Sequence, residues 1–299
     1  MAADDPTRCS TYRLPAAELA VLADVLDALA NTTSPADELF RAAFAGACTW
    51  GRSFADRLRE VCLSRSLEEL RASDEEEWWR VEALLKERDL HVAVARVLLD
   101  DACLGECRAA THSAAYARHR EAVEAVTGRR LPSFALLVVP DPSSAGDSLE
   151  GWLPPYEGRP WAVVLTRRLG DGRLDGALLH ELVHATQAEQ LSPLDDDKEV
   201  EWVLGVGNRT VLEGATETLA RRVRGQPRSD LYAVERLTFA WLARRLGTTT
   251  AALARRVSAV GYPLGYVAEL LDVDDADLAR QILARNGAAI ARRQERSRG

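Results

Sequence analysis

Trp161-Ala-Val-Val-Leu-Thr166, then Gly170-Asp-Gly172, then a helix-period run that carries His180-Glu-Leu-Val-His-Ala-Thr-Gln187: this stretch decides how the rest of the chain is read. The apolar, β-rich hexapeptide predicts a strand, and the glycines after it predict a short loop into a helix. On that helix, from about Leu174 to Gln190, the residues Leu174, Leu178, Leu182 and Ala185 form one apolar face that packs against a core. His180 and His184 project from another face one turn apart, so both imidazoles can reach a single metal ion. Glu181, beside the first histidine, then lies next to the open coordination position.

Upstream, residues 1–128 read almost wholly as helix. Pro15 suits a first helical position; Ser34 with Pro35 and Asp37 reads as a cap with a first-turn proline; Ser66 with Glu69 and Ser73 with Glu76 fit capping boxes. From Ser73 an amphipathic pattern runs through Trp78, Val81, Leu84, Leu85, Leu90 and Val94 to Leu99. The texture changes at Thr127-Gly128. Phe134 to Val139 is a second β-rich run, separated from Trp161 by a turn-rich stretch with Pro140, Pro142, Gly146, Gly151, Pro154, Pro155 and Gly158.

Downstream lie an acidic loop (Ser192 to Asp197), a break around Gly205 to Gly207, and a helix from about Arg209 to Arg224. Alanine- and leucine-rich helices then run to Arg293, punctuated by Gly247, Gly261, Pro263 and Gly287, with a frayed tail over Arg292 to Gly299. The expected fold class is α+β, predominantly α-helical. An N-terminal helical domain spans 1–128, and a metal-binding catalytic domain with C-terminal helices spans 129–299, its small sheet preceding the HExxH helix.

Composition narrows the function. The chain has 299 residues, 47% of them hydrophobic and 28% charged, enough for a full core without disulfide staples. A net charge of -8 argues against a general nucleic-acid or anionic-membrane partner. Of the 38 basic residues only Lys86 and Lys198 are lysine, and the arginines are scattered rather than massed on one segment. No stretch is apolar for long enough to cross a membrane, and the N-terminal Asp4 and Asp5 stand where a signal peptide would be basic, so a cytoplasmic location is expected. Five widely spaced cysteines (Cys9, Cys48, Cys62, Cys103, Cys107) are then reduced thiols.

A catalytic zinc site needs a third protein ligand and an open fourth position. In Val211-Leu-Glu-Gly-Ala-Thr-Glu-Thr-Leu219, Glu213 and Glu217 fall one turn apart on one helix face, so one can ligate while the other hydrogen-bonds a ligand. With these residues the sequence resembles the gluzincin branch of the zincin metallopeptidases, whose HExxH helix is followed by a helix supplying a glutamate ligand, often in a Glu-Gly pair. His180, Glu181 and His184 match the first motif and Glu213-Gly214 the second; Glu217 matches the place of an acid that orients the first histidine. The strings from His180 to Gln187 and from Leu212 to Thr216 are also similar to those of bacterial metallopeptidases with HELxHAxQ and LxEGxAT-type motifs. The resemblance covers about a fifth of the chain, roughly Trp161 to Arg224, with 28 residues between His184 and Glu213.

The resemblance implies a zincin-like catalytic domain that holds one Zn²⁺ on His180, His184 and Glu213. Glu181 acts as general base towards a zinc-activated water, and the substrate is a peptide or protein. Tyr232 or a nearby arginine is the candidate donor to the oxyanion. The same two-histidine, one-carboxylate set with Fe²⁺ defines the alternative of a non-heme iron peptide-modifying oxygenase, a group the start Tyr12-Arg-Leu-Pro-Ala16 faintly resembles; a non-catalytic zincin-like binding protein is a third reading. His91, His112 and His119 read as surface or local structural residues. Cys103 and Cys107 near His112 fall short of the four ligands of a structural zinc site. Asp195 to Asp197, and Asp274, Asp275 and Asp277, read as helix starts rather than calcium loops. Trp78-Trp79 read as core anchors.

Overall fold

The computed structural model describes residues 20–33, 35–64, 88–139, 151–152, 155–156, 159–166, 171–188, 206–224, 232–260, 263–273 and 276–298. The fold is predominantly helical with a small sheet, as the sequence predicts. Among the described residues the elements are α1 (20–31), α2 (Glu38–Ser64), α3 (88–99), α4 (Asp101–Thr111), α5 (Ala114–Thr127), β1 (Ala135–Val139), β2 (Gly151–Trp152), β3 (Pro155–Tyr156), β4 (Arg159–Pro160) and β5 (Ala162–Thr166). They continue with α6 (Asp171–Ala188), α7 (Val206–Arg224), α8 (Ala233–Arg245), α9 (Thr250–Val257), α10 (Pro263–Leu271) and α11 (Ala276–Arg298). None of the described helices is long and apolar enough to cross a membrane.

The chain packs as two compact units, and the division does not follow the linear boundary expected at residue 128. One unit holds Met1–Ser113, Ser133–Tyr156 and Trp161–Leu169; the other holds Ala114–Pro132, Glu157–Pro160 and Gly170–Gly299. The three-stranded sheet of β1, β5 and β2 thus belongs with the N-terminal helices and α5 with the C-terminal ones. Side-chain chemistry explains both placements.

In the first unit, β1 and β5 run parallel, from Ala135 opposite Ala162 to Val139 opposite Thr166, and β2 adds an antiparallel pair at the far side of β5. Among the described residues β1 is therefore an edge strand, and an edge strand exposes unpaired amides. Helix α4 covers them: Leu136 N donates to Thr111 Oγ1 at 2.9 Å, and Val138 N donates to Cys107 Sγ at 3.3 Å. Two residues along a strand advance about 6.6 Å and four along a helix about 6 Å, so side chains at i and i+4 match alternate strand amides. Phe40, Phe44, Leu90, Leu98, Leu104, Leu137, Trp161 and Val164 join in the core of this unit. Gly46 makes room for the Trp161 ring, which a Cβ on that turn of α2 would strike.

The start of α2 falls within the expected signal, at Glu38. Asp37 is its cap, with Asp37 Oδ1 accepting from Leu39 N at 2.9 Å, and Ser34 lies outside the described residues. Asp100 ends α3 and caps α4 in the same way, accepting from Cys103 N at 2.8 Å. The other proposed starts, at Pro15, Ser66 and Ser73, and Trp78-Trp79 lie outside the described residues.

In the second unit, α5 is held by Arg255 Nε donating to Val126 O, and the turn after it by Arg129 Nη1 donating to Thr186 O near the end of α6. Helix α8 closes on Gly247 (φ 62), with Gly247 N on Arg244 O and Thr248 N on Ala243 O, an arrangement that needs a left-handed residue at that point. Gly287 does not break the chain: it lies inside α11, facing Thr238 and Val234 of α8. The expected frayed tail is also corrected, because α11 continues to Arg298, and no glycine or proline interrupts it after Gly287.

Candidate metal centre

Over residues 177–187 helix α6 is buried on almost every face. Leu178, Leu182 and Ala185 are buried as expected, but so are Ala177, Leu179 and Val183 on other faces. His180 and Glu181 are therefore drawn inside with them, at 7% and 8% exposure. Burying such groups is costly unless partners meet them, and the partners come from α7. Gly214 brings α7 close to α8: a Cβ there would lie 2.5 Å from Phe239 Cβ and 2.9 Å from Glu235 O. The Glu213-Gly214 pair thus joins a polar group to a close helix crossing.

Three atoms converge at the centre. His180 Nε2 lies 3.0 Å from Glu213 Oε2, His184 Nε2 lies 3.1 Å from His180 Nε2, and His184 Nε2 lies 3.3 Å from Glu213 Oε2. A tetrahedral ion with ligand bonds of about 2.0–2.1 Å sets its ligand atoms about 3.3 Å apart. The triangle has nearly that size, and among the described residues it is the group of histidine and carboxylate donors able to hold a metal.

The remaining ring nitrogens face partners of their own. His180 Nδ1 lies 3.4 Å from Glu217 Oε2, while Arg221 Nε donates to Glu217 Oε1 at 2.6 Å. His184 Nδ1 lies 2.9 Å from Gln187 Oε1 and 3.3 Å from Thr216 Oγ1. When each ring carries its proton on Nδ1, facing an oxygen, both Nε2 lone pairs and a carboxylate oxygen point to one place. Three lone pairs aimed together repel one another, and a cation between them satisfies all three. The donor set therefore fits a metal.

Electrostatics favour positive charge at the same place, whether a proton on His180 or a cation. Burial works against a charged His180, yet the hydrogen bonds to Glu213 and Glu217 and the charges of Glu213 and Glu181 outweigh it, raising the imidazole to about 10. Burial opposes ionisation of Glu213 as well, and the charge and hydrogen bonds of His184 and His180 overcome it, holding the carboxyl far below the usual carboxylate range. Glu217 is likewise lowered by His180 and Arg221 against its burial. Glu181 goes the other way: burial pushes its carboxyl up, against the weaker pull of His180 and His184.

The residues singled out in the sequence thus fall into place unevenly. His180, His184 and Glu213 meet, Glu217 stands behind His180, and Glu181 is buried on the same helix. Tyr232 stacks its ring on His180, with centroids 4.9 Å apart and planes at 6°, from a left-handed backbone (φ 58) just before α8. Gln187, Thr216 and Ser258 are the partners that motif reading leaves without a role. Gln187 Nε2 donates to Thr216 Oγ1 and to Ser258 Oγ, each at 3.0 Å.

Away from the centre, His112 pairs with Asp37 and His119 with Asp175, both at the surface, and His91 is fully buried. Cys48, Cys103 and Cys107 form no disulfide, and Cys107 accepts from the β1 edge. Asp195 to Asp197 and the pair Asp274-Asp275 lie outside the described residues. Compared with protein families, with curated proteins and with solved structures, the chain matches none.

Proposed function

We propose that the protein is a zinc-dependent hydrolase, a metallopeptidase of gluzincin type that cleaves a peptide or amide bond. The observation that supports this most is the convergence of His180 Nε2 and His184 Nε2 of α6 with Glu213 Oε2 of α7 within 3.3 Å of one another, with Glu181 buried on the same helix as the two histidines. His180, His184 and Glu213 would hold the ion. When bound, zinc supplies a Lewis acid that lowers the pKa of a water and polarises the scissile carbonyl.

Every other part falls to the chain's own residues. Glu217 and Tyr232 fix the plane of His180, and Gln187 and Thr216 fix that of His184, so the donors are in place before substrate arrives. Glu181 takes the proton from the attacking water and returns it to the leaving amine, a role that suits a carboxyl whose affinity for protons burial has raised. The buried carboxyl beside the histidines also favours hydrolysis over oxygen chemistry, which requires no base there.

The test is metal content by mass spectrometry on protein purified without chelator or nickel, together with Glu181→Gln and a peptide-library digest. About one zinc per chain, retained in Glu181→Gln while hydrolysis falls by roughly 10²–10⁴-fold, is the expected result. A metal-free wild type, or iron with turnover that needs dioxygen, overturns the hydrolase.

A further inference from the structure

Beyond the ligands themselves, the structure assigns Gln187 as a positioning residue that holds His184 in its metal-binding orientation, and Ser258 as the group that holds Gln187. The inference rests on the metal-site reading above.

Gln187 lies three residues beyond His184, on the same face of α6, and is 3% exposed. One N–H of its amide goes to Ser258 Oγ at 3.0 Å, and the Thr216 hydroxyl spans the amide, 3.0 Å from Nε2 and 3.2 Å from Oε1. That turns Oε1 towards His184, 2.9 Å from Nδ1. An acceptor at Nδ1 requires the proton there and leaves Nε2 with its lone pair directed at His180 Nε2 and Glu213 Oε2.

Thr216 and Ser258 are as buried as the amide, at 0% and 3% exposure, so the three groups form a closed polar cluster in an apolar setting. Helix α7 supplies Thr216, three residues past the ligand Glu213. Ser258 comes from 71 residues further along than Gln187, at the C-terminal end of α9, where its backbone N–H bonds Ala254 O and Arg256 O. The C-terminal helices thereby take part in the metal centre: they fix the amide, the amide fixes the imidazole, and the imidazole faces the ion. Tyr232, from the turn before α8, serves His180 in parallel by stacking, so each histidine is set by a residue on a later element.

The experiment compares wild type, Gln187→Met, Gln187→Glu and Ser258→Ala in the full chain. Zinc affinity is read by competition with a fluorescent chelator, folding by circular dichroism, and the His184 ring nitrogens by ¹⁵N shifts in the metal-free protein. Gln187→Met keeps the volume and removes the acceptor; its expected effect is a 10–100-fold weaker zinc affinity in a folded protein, with the His184 proton no longer confined to Nδ1. Gln187→Glu restores an acceptor and is expected to bind zinc within a few-fold of wild type. Ser258→Ala, the variant least exposed to folding failure, is expected to fall between the two.

A folded Gln187→Met that binds zinc like wild type overturns the assignment. So does a Gln187→Glu as weak as the methionine variant, because the amide would then be donating to His184 rather than accepting. A wild type that takes up no zinc overturns the hydrolase reading instead, and the role of Gln187 is then decided by the ¹⁵N shifts alone: no change between wild type and Gln187→Met overturns it.

Discussion

Two buried histidines, one in each unit, meet opposite fates. His91 is fully buried in the N-terminal unit, where burial lowers its imidazole from the ordinary 6.5 to about 4 against backbone hydrogen bonding that includes Ala47. His180 is buried nearly as deeply, and its imidazole rises to about 10. Desolvation acts on both in the same direction; the carboxylates of Glu213 and Glu217 reverse it at His180 alone. A strongly perturbed histidine is therefore no sign of a site by itself. Convergent acceptors are.

The sharpest way to break this comparison is to remove an acceptor. Glu213→Ala should lower zinc affinity by more than the roughly 10–100-fold that an outer partner contributes, read by chelator competition; retention of tight zinc would mean that Glu213 is not a ligand. Next in size is the pH response of His91. Below pH 6.5 the unfolded chain takes up a proton that the folded chain refuses until about pH 4, so this group's contribution is complete above pH 6.5 and is lost as pH falls through that window. The loss by pH 4 is about 3 kcal/mol. Urea titrations at several pH values should show that His91→Leu flattens this slope, and an unchanged slope would refute the assignment.

A pair of glycine variants sharpens the contrast further. A Cβ on Gly51 would strike His91 and Leu26, and one on Gly214 would meet Phe239 and the Glu235 carbonyl. Gly51→Ala and Gly214→Ala should each cost about 1–3 kcal/mol by overpacking, seen in urea denaturation, but only Gly214→Ala should weaken zinc binding. The smallest effect belongs to a position that touches neither histidine. Asp100→Ala removes the cap of α4 and should cost about 1 kcal/mol, with zinc affinity intact.

The parts of the centre that lie close in sequence were legible there, because a helix converts spacing into direction. His180 with His184, and Glu213 with Glu217, need only the helical period to be placed in pairs, and the strands at Ala135–Val139 and Ala162–Thr166 follow from short β-rich runs. Gln187 stood within the quoted motif, three residues past His184, and that spacing was the one signal for its role. Ser258 carried none, since a lone serine at the end of an alanine-rich helix gains its meaning only from tertiary packing. The cap of α2 was legible only as a cluster of start signals, of which Asp37 is the residue whose carboxylate reaches Leu39 N. The division of the chain into units was illegible for a similar reason, as nothing in β1 announces that Cys107 and Thr111 will meet its amides.

That meeting of α4 with the edge of β1 links the helix to the strand in time as well as in space. The amides of Leu136 and Val138 face away from β5 and would trade their hydrogens for deuterium within seconds on a bare edge. With Thr111 and Cys107 over them, exchange must wait for α4 to lift. Those two amides become a clock for the helix, and a Thr111→Val substitution would set Leu136 running fast while Val138, still under its thiol, kept the slower time.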